Sequence, residues 1–194
     1  MILRRSILLA TVGLLAVVAV VAQEGDEPGR ILFIAENDQG TVWANLSLTG
    51  QRNAEPYLPM VIGVQNQSSA KLKLTRESFW LSDLEGVIYT VPSVKEWRNN
   101  YDHASLDRRL LTTGGIPWEV WARSGRFAST NFFPDLRASR GATTRDVVTL
   151  RRGFGMADLL YFERPRTLEP GRPFFLAVQG EGWEEPIRLR LYIS

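Results

Sequence analysis

The sequence predicts an all-β protein, an antiparallel β-sandwich interrupted by a short helical insertion and a long loop rich in aromatic residues and arginine. Three stretches carry this prediction. Residues 41–48 alternate apolar and polar side chains, residues 57–91 hold several short strand-like segments separated by polar breaks, and residues 186–193 alternate again. A period of two residues places alternate side chains on opposite faces of a strand, which is typical of a sheet with one face in a core.

The N-terminal stretch has the composition of an export signal. Arg4 and Arg5 precede an unbroken apolar run over residues 7–22, after which the chain becomes polar and acidic. The run ends in small residues suited to cleavage, and its 16 residues fall just short of the roughly 17–25 that span a bilayer. We therefore expect residues 1–22 to be a cleaved signal peptide, with a retained membrane anchor as the alternative.

The export signal favours a bacterial periplasmic or secreted protein, and the composition argues against nucleic-acid binding. There is no cysteine, so the fold can contain no disulfide and must rest on its hydrophobic core. The net charge of +2 comes from the two arginines of the predicted signal peptide, so the remaining chain is neutral. A neutral chain carries no electrostatic footprint for nucleic acid. Contact with a membrane is expected only through residues 1–22, if they are retained.

The predicted domain begins after the signal peptide and a short leader. Residues 23–30 are expected to form a flexible leader, and residues 31–194 a single β-sandwich domain with an insertion at residues 92–142. The first two strands are expected at residues 31–34 and 41–48, joined by a hairpin turn over Asn37–Gly40. Four further strands are expected in the last third of the chain, at residues 146–150, 157–162, 172–178 and 186–193.

Residues 57–91 also resemble a known family. The pattern is an apolar strand ending in Asn66, then Leu72-x-Leu74, then Phe79-x-Leu81-x-Asp83-x-x-Gly86-x-x-Tyr89. It is similar to the core of the telokin-like immunoglobulin-fold domains of bacterial exported proteins. The resemblance implies an immunoglobulin-like sandwich with a tight turn at Asp83 and Gly86. It places Phe79 and Tyr89 in the core and implies no catalytic residue.

The insertion is predicted to begin with a helix. Ser93 and Glu96 have the spacing of a capping box, in which each side chain satisfies a backbone N–H of the other residue. Apolar side chains then recur at helical spacing, at Val94, Trp97 and Tyr101. A second short helix is expected over residues 106–111.

The candidate binding surface lies in the long loop of the insertion. The aromatic and arginine side chains gathered there are Trp118, Trp121, Arg123, Arg126, Phe132 and Phe133. Such residues dominate protein interfaces, but aromatics also fill cores, and their frequency there favours anchoring of the loop on the core for these rings. We predict that the loop over residues 116–135 meets a partner, most simply another protein of the cell envelope.

No sequence pattern is specific to an enzyme. The single histidine, His103, follows Asp102 and precedes Ser105, but adjacent residues of a helix point apart and do not form a triad. With one histidine and no cysteine, the usual zinc, copper and iron–sulfur sites are not expected, and no cofactor is predicted. The sequence therefore favours an exported, non-enzymatic binding or envelope-associated module. The alternative is a carbohydrate-directed hydrolase that uses two of the acids Asp135, Asp158 and Glu163.

Overall fold

The computed structural model describes residues 31–114, 126–128, 130–134 and 145–193. Within these ranges the chain forms ten β-strands and two α-helices, which confirms a mostly β protein. The predicted signal peptide and leader lie outside the described residues. So do four residues of the predicted sites, Trp118, Trp121, Arg123 and Asp135.

Every pair of strands among the described residues is antiparallel. The strands are β1 (Leu32–Glu36), β2 (Gly40–Asn45), β3 (Tyr57–Asn66), β4 (Leu72–Leu74), β5 (Phe79–Ser82), β6 (Ile88–Thr90), β7 (Val148–Leu150), β8 (Gly155–Glu163), β9 (Phe174–Val178) and β10 (Ile187–Leu191). One sheet has the order β1-β2-β3-β8, a second has the order β10-β9-β5-β6, and β4 pairs with β7. The helices are α1 (Val94–Asn100) and α2 (Ala104–Gly114).

The first hairpin forms where its turn was predicted. The Asn37 side-chain oxygen accepts hydrogen bonds from the backbone N–H groups of Gln39 at 3.0 Å and Gly40 at 3.2 Å. Asparagine can bond to its own following backbone in this way, which is why it initiates turns. β1 and β2 leave this turn in continuous antiparallel register.

The two four-stranded sheets share one hydrophobic core. Along β10 the side chains of Ile187, Leu189 and Leu191 are buried, whereas Arg188 and Arg190 between them are exposed. The alternation predicted for this strand is therefore confirmed, with its apolar face in the shared core.

β3 is buried on both faces. Its inward side chains are Met60, Ile62 and Val64. On the other face, Gly63 lies under the Trp43 ring, and a Cβ atom there would come within 1.8 Å of the indole. β3 is central because β2 and β8 pair with its two edges. Side chains from outside the sheet cover the outer face of β3.

Helix α1 supplies part of that cover. Ser93 caps it as predicted: the Ser93 Oγ accepts from the Glu96 N–H at 3.2 Å, and the Ser93 N–H donates to Glu96 Oε2 at 3.0 Å. Trp97 is fully buried, and its ring centre lies 5.0 Å from that of Tyr161 on β8. The second predicted helix is also present and is longer than expected, as α2 begins at Ala104.

The strands before the insertion pair with those after it. β3 pairs with β8 and β4 pairs with β7, so the chain returns to the same sheets after residues 92–142. This pairing places the helices and the described part of the long loop against the first sheet.

Candidate functional site

The described part of the long loop runs along the outer edge of β8. The Gly155 N–H donates to the Arg126 carbonyl at 2.9 Å, and the Ala128 N–H donates to the Gly155 carbonyl at 2.8 Å. Further along, the Thr130 hydroxyl donates to the Ala157 carbonyl at 3.1 Å. These bonds occupy polar groups of a sheet edge that would otherwise be open to a passing strand.

Three predicted binding residues fall in this segment, and two of them are core residues. Phe132 and Phe133 are fully buried. The Phe132 ring packs edge-on against Phe79 of the second sheet, with centroids 6.0 Å apart. The Phe133 ring packs against Trp97 at 5.0 Å. Successive residues along the edge of β8 point to opposite faces of the sheet, so one ring reaches the second sheet and the other reaches α1. Because both rings are fully buried, they anchor the loop and leave no aromatic surface for a partner.

Arg126 remains accessible. Its side chain is exposed, and its guanidinium carbon lies 5.5 Å from the centre of the Phe154 ring. Of the predicted binding residues that the structure describes, it is the one available at the surface.

The acids of the alternative hydrolase do not come together in the described residues. Asp158 and Glu163 both lie on β8, five positions apart, so they point to opposite faces and are separated by about 16 Å along the strand. A glycosidase needs two carboxyl groups at roughly 5–10 Å. His103 precedes α2, and its Nε2 lies 3.1 Å from Glu55 Oε1.

Asp158 fastens the loop to the sheet. Its side chain is buried; one carboxyl oxygen accepts from the Phe132 N–H at 2.9 Å and the other from the Leu159 N–H at 2.8 Å. Burial raises the pKa of Asp158, and the hydrogen bond from Phe132 opposes that shift. Both carboxyl oxygens therefore accept backbone hydrogen bonds, which gives Asp158 a structural role.

The tight turn implied by the family resemblance is present and is built on Asp83. One carboxyl oxygen accepts from the N–H groups of Glu85 at 3.0 Å and Val87 at 2.9 Å. The other accepts from the Tyr89 hydroxyl at 2.9 Å and the Thr167 hydroxyl at 3.2 Å. These four bonds hold the turn rigidly and tie it to the segment that contains Thr167.

This turn carries exposed apolar side chains. Leu84, Val87 and Ile88 are 54%, 48% and 60% exposed, and they are three of the five exposed large apolar residues in the described chain. Beside them, β6 is the edge strand of its sheet, and within the described residues no strand pairs with its outer edge. We call Leu84, Val87, Ile88 and the outer edge of β6 the turn surface.

The Asp83 network predicts acid sensitivity. Burial would raise the pKa of Asp83, but the hydrogen bonds from Tyr89, Val87, Thr167 and Glu85 outweigh it and hold the pKa below its ordinary value. A carboxyl group whose pKa is lowered on folding stabilises the protein above its unfolded pKa of roughly 4 and loses that contribution as pH falls through the folded value. Asp83→Asn should therefore lower the melting temperature by several degrees near neutral pH.

The check is a melting curve at several pH values. The difference between wild type and Asp83→Asn should shrink on acidification from about pH 7 to about pH 3, because the wild-type carboxylate becomes protonated. Asp38→Asn, at an exposed position of the first hairpin, serves as the control and should follow wild type. A difference that stays constant with pH would contradict the assigned role.

A second cluster lies buried between the first sheet and the helices. We call it the arginine–tyrosine cluster, and its members are Arg52, Trp97, Tyr101, Asp107, Arg108 and Tyr161. Asp107 is fully buried. It accepts a hydrogen bond from Arg52 Nε at 3.0 Å and another from the Tyr101 hydroxyl at 2.5 Å.

Tyr161 lies at the centre of this cluster. Its ring centre is 5.0 Å from Trp97, 5.1 Å from Tyr101 and 5.2 Å from Phe133. Burial, together with the negative charge of Asp107, raises the pKa of both Tyr101 and Tyr161. Both phenols therefore keep their protons at neutral pH.

Sequence reasoning missed this cluster. Arg52 lies in a short turn before β3, Asp107 and Arg108 lie on α2, and Tyr161 lies on β8. No spacing links positions so far apart in the chain, and adjacent charges on a helix ordinarily indicate a solvated face. The available signals were Trp97 and Tyr101, which lie on the apolar face of the predicted helix.

A surface pocket lies apart from both clusters. It has a volume of about 220 Å³ and is lined by Asn53, Ala54, Arg164, Leu168, Glu169, Pro170 and Ile193. Ligand pockets ordinarily enclose roughly 300–1,000 Å³, so we assign it no role.

In the part of the chain that the structure describes, no three His, Asp or Glu side chains are grouped to hold a metal ion. The described helices include none with the length and apolar character needed to cross a bilayer. No protein-family model matches the chain, and no curated protein or solved structure is significantly similar to it.

Proposed function

We propose that the protein is an exported, non-enzymatic binding module with an immunoglobulin-like β-sandwich fold, and that its turn surface binds another protein of the cell envelope. The signal-like residues 1–22 support export. The two antiparallel sheets with a shared core support the sandwich. The observation that carries the binding role is the exposure of Leu84, Val87 and Ile88 beside an unpaired strand edge.

The chemistry of the turn surface favours one kind of occupant. An open strand edge presents backbone donors and acceptors that an extended segment of another chain can pair with. Burying an exposed large apolar side chain contributes about 1.5–3 kcal/mol. An extended, apolar segment of the partner would therefore pair with β6 and cover the three side chains.

The rigidity of the turn supports the same role. Asp83 already holds the backbone of Glu85 and Val87 in place through its hydrogen bonds. Binding to a preorganised surface loses less conformational entropy than binding to a mobile loop. The described turn is thus suited to recognition without rearrangement.

The other predicted site residues stand as follows. Trp118, Trp121 and Arg123 remain predicted contacts for the same partner, and Arg126 is exposed next to them in sequence. The carbohydrate hydrolase receives less support, because Asp158 and Glu163 face opposite sides of β8 and Asp158 is engaged by the loop backbone.

Site-specific photocrosslinking tests the proposal. With a crosslinker at Ile88, we expect one discrete adduct with an envelope protein in cells that express the full chain. A crosslinker at Thr149, which is exposed on β7, is the matched control and should give none. Equal adducts at both positions would contradict the proposal.

Affinity measurement then separates contact from function. With the captured partner purified, Ile88→Lys should raise the dissociation constant at least about tenfold, as expected for truncation or charging of a central interface residue. Thr149→Lys should leave it unchanged.

Export is tested separately by sequencing the N-terminus of the exported protein, which should begin at Gln23; a retained Met1 would contradict cleavage.

A further inference from the structure

The arginine–tyrosine cluster contains unpaired buried polar atoms. Four buried side-chain atoms of the described residues have no hydrogen-bond partner: Arg52 Nη2, Trp97 Nε1, Arg108 Nε and Tyr161 Oη. All four belong to this one cluster. Buried polar groups are nearly always paired in folded proteins, so a concentration of unpaired ones requires an explanation.

The four side chains come from different elements and are linked through shared neighbours. The Trp97 ring on α1 lies 5.0 Å from the Tyr161 ring on β8. Arg52 approaches from the turn before β3 through its bond to Asp107 at 3.0 Å. Arg108 on α2 is fixed by a hydrogen bond from its Nη2 to the Phe133 carbonyl. Contacts to other groups therefore hold each arginine in place and leave a nitrogen of each unused.

The unused atoms share one chemical character. The arginine and indole nitrogens are donors only, and the Tyr161 hydroxyl can donate as well. A group that pairs with these four atoms must therefore accept hydrogen bonds. A carboxylate offers two oxygens with about four acceptor positions, and its hydrogen bonds to guanidinium groups are charge-assisted and strong.

Two arginines and two carboxylates act on Tyr161, and one of the arginines is not bonded to a carboxylate. The charged groups that act on Tyr161 are Asp107, Arg108, Asp158 and Arg52. Asp107 compensates Arg52 directly. Asp158 lies on the opposite face of β8 from Tyr161 and is held by the Phe132 backbone. The positive charge of Arg108 lowers the pKa of Asp158, but neither its Nη2, which donates to the Phe133 carbonyl, nor its unpaired Nε is bonded to a carboxylate.

We propose that the arginine–tyrosine cluster is a binding site for a small carboxylate, which accepts hydrogen bonds from Arg52, Arg108 and Tyr161. The indole N–H of Trp97 is the fourth donor. This site is separate from the turn surface, so the two proposals stand independently.

Replacement of Tyr161 by phenylalanine distinguishes ligand binding from a structural role. The hydroxyl makes no hydrogen bond within the described protein, so Tyr161→Phe should melt at the same temperature as wild type, or higher, in sodium chloride. In sodium acetate, wild type should gain stability and the variant should not. A merely structural tyrosine would lose stability equally in both salts.

The measurement is thermal denaturation of the full exported chain at matched pH and ionic strength, with acetate replacing chloride. For wild type, the melting temperature should rise saturably, by about 5–10 °C when acetate is 100-fold above its dissociation constant. Tyr161→Phe and Arg108→Gln should each abolish most of that rise. Tyr192→Phe makes the same chemical change outside the cluster and should keep it.

Two results would overturn the inference. If wild type showed no greater melting temperature in acetate than in chloride, the cluster would be completed by water alone. If all four proteins gained equally, the effect would be a general action of the salt on folding. Arg108→Gln keeps the test valid should Tyr161→Phe fail to fold.

Discussion

Asp107→Ala is expected to lower the free energy of unfolding by about 3–5 kcal/mol, which is the usual cost of removing one partner of a buried ion pair. Asp107 is fully buried and holds both Arg52 and the Tyr101 hydroxyl. Alanine would leave the mostly buried Arg52 guanidinium without its counter-ion and the Tyr101 hydroxyl without its acceptor. For a domain of this size the melting temperature should fall by about 6–20 °C.

Urea denaturation provides the measurement, and an exposed ion pair provides the control. Glu181 pairs with Lys73 at 3.0 Å, and both side chains are largely exposed. Glu181→Ala should therefore cost less than about 1 kcal/mol. If Asp107→Ala were as mild as Glu181→Ala, the buried pair would have no stabilising role.

A double variant isolates the uncompensated charge. Arg52→Met combined with Asp107→Leu removes both charges and fills the space with apolar atoms. Buried ion pairs can often be replaced in this way at little cost, so the double variant should recover more than half of the stability that Asp107→Ala loses. Failure to recover would assign the loss to the Tyr101 contact or to packing.

Trp97→Ala is the second large expected effect, a loss of about 3–5 kcal/mol. The indole is fully buried and packs on Phe133 and Tyr161, each at 5.0 Å between ring centres. It joins α1, the long loop and β8, so alanine would leave a cavity where the three elements meet.

Limited proteolysis locates the damage, and denaturation measures its size. Trypsin should cleave Trp97→Ala faster after Lys95 or Arg98, because α1 would detach from the sheet more often. Trp97→Phe keeps an aromatic ring and should lose less than half as much stability. Asn99→Ala, at an exposed position of the same helix, should change the stability by no more than about 0.5 kcal/mol. Unchanged cleavage in Trp97→Ala would show that the indole does not hold the helix.

The local features of the fold could be predicted because each depends on a few neighbouring residues. The Asn37 side chain forms the first hairpin turn through the next two or three N–H groups along the chain. Ser93 and Glu96 satisfy each other at the start of α1. Alternation in β10 follows from strand geometry alone.

The burial of the predicted binding aromatics could not be predicted in the same way. Aromatic side chains next to arginine suit both an interface and a core, and although the frequency of aromatics in cores favours the core, the pattern does not say which rings are buried. Phe132 and Phe133 are buried because their segment pairs with the edge of β8, and this pairing joins residues far apart in sequence. A one-dimensional pattern contains no information on which sheet edge a loop will cover.

The sequence by itself determined the mostly β class, the helical start of the insertion and the positions of the main strands, since periodicity and capping act over a few residues. The tertiary structure alone decided which side chains meet. It buried both faces of β3 and placed Phe132 in the core. It also brought Arg52, Asp107 and Tyr161 together in one buried cluster. The physical reason is that burial and charge pairing depend on distances in space, which only the packing of sheet, helices and loop sets.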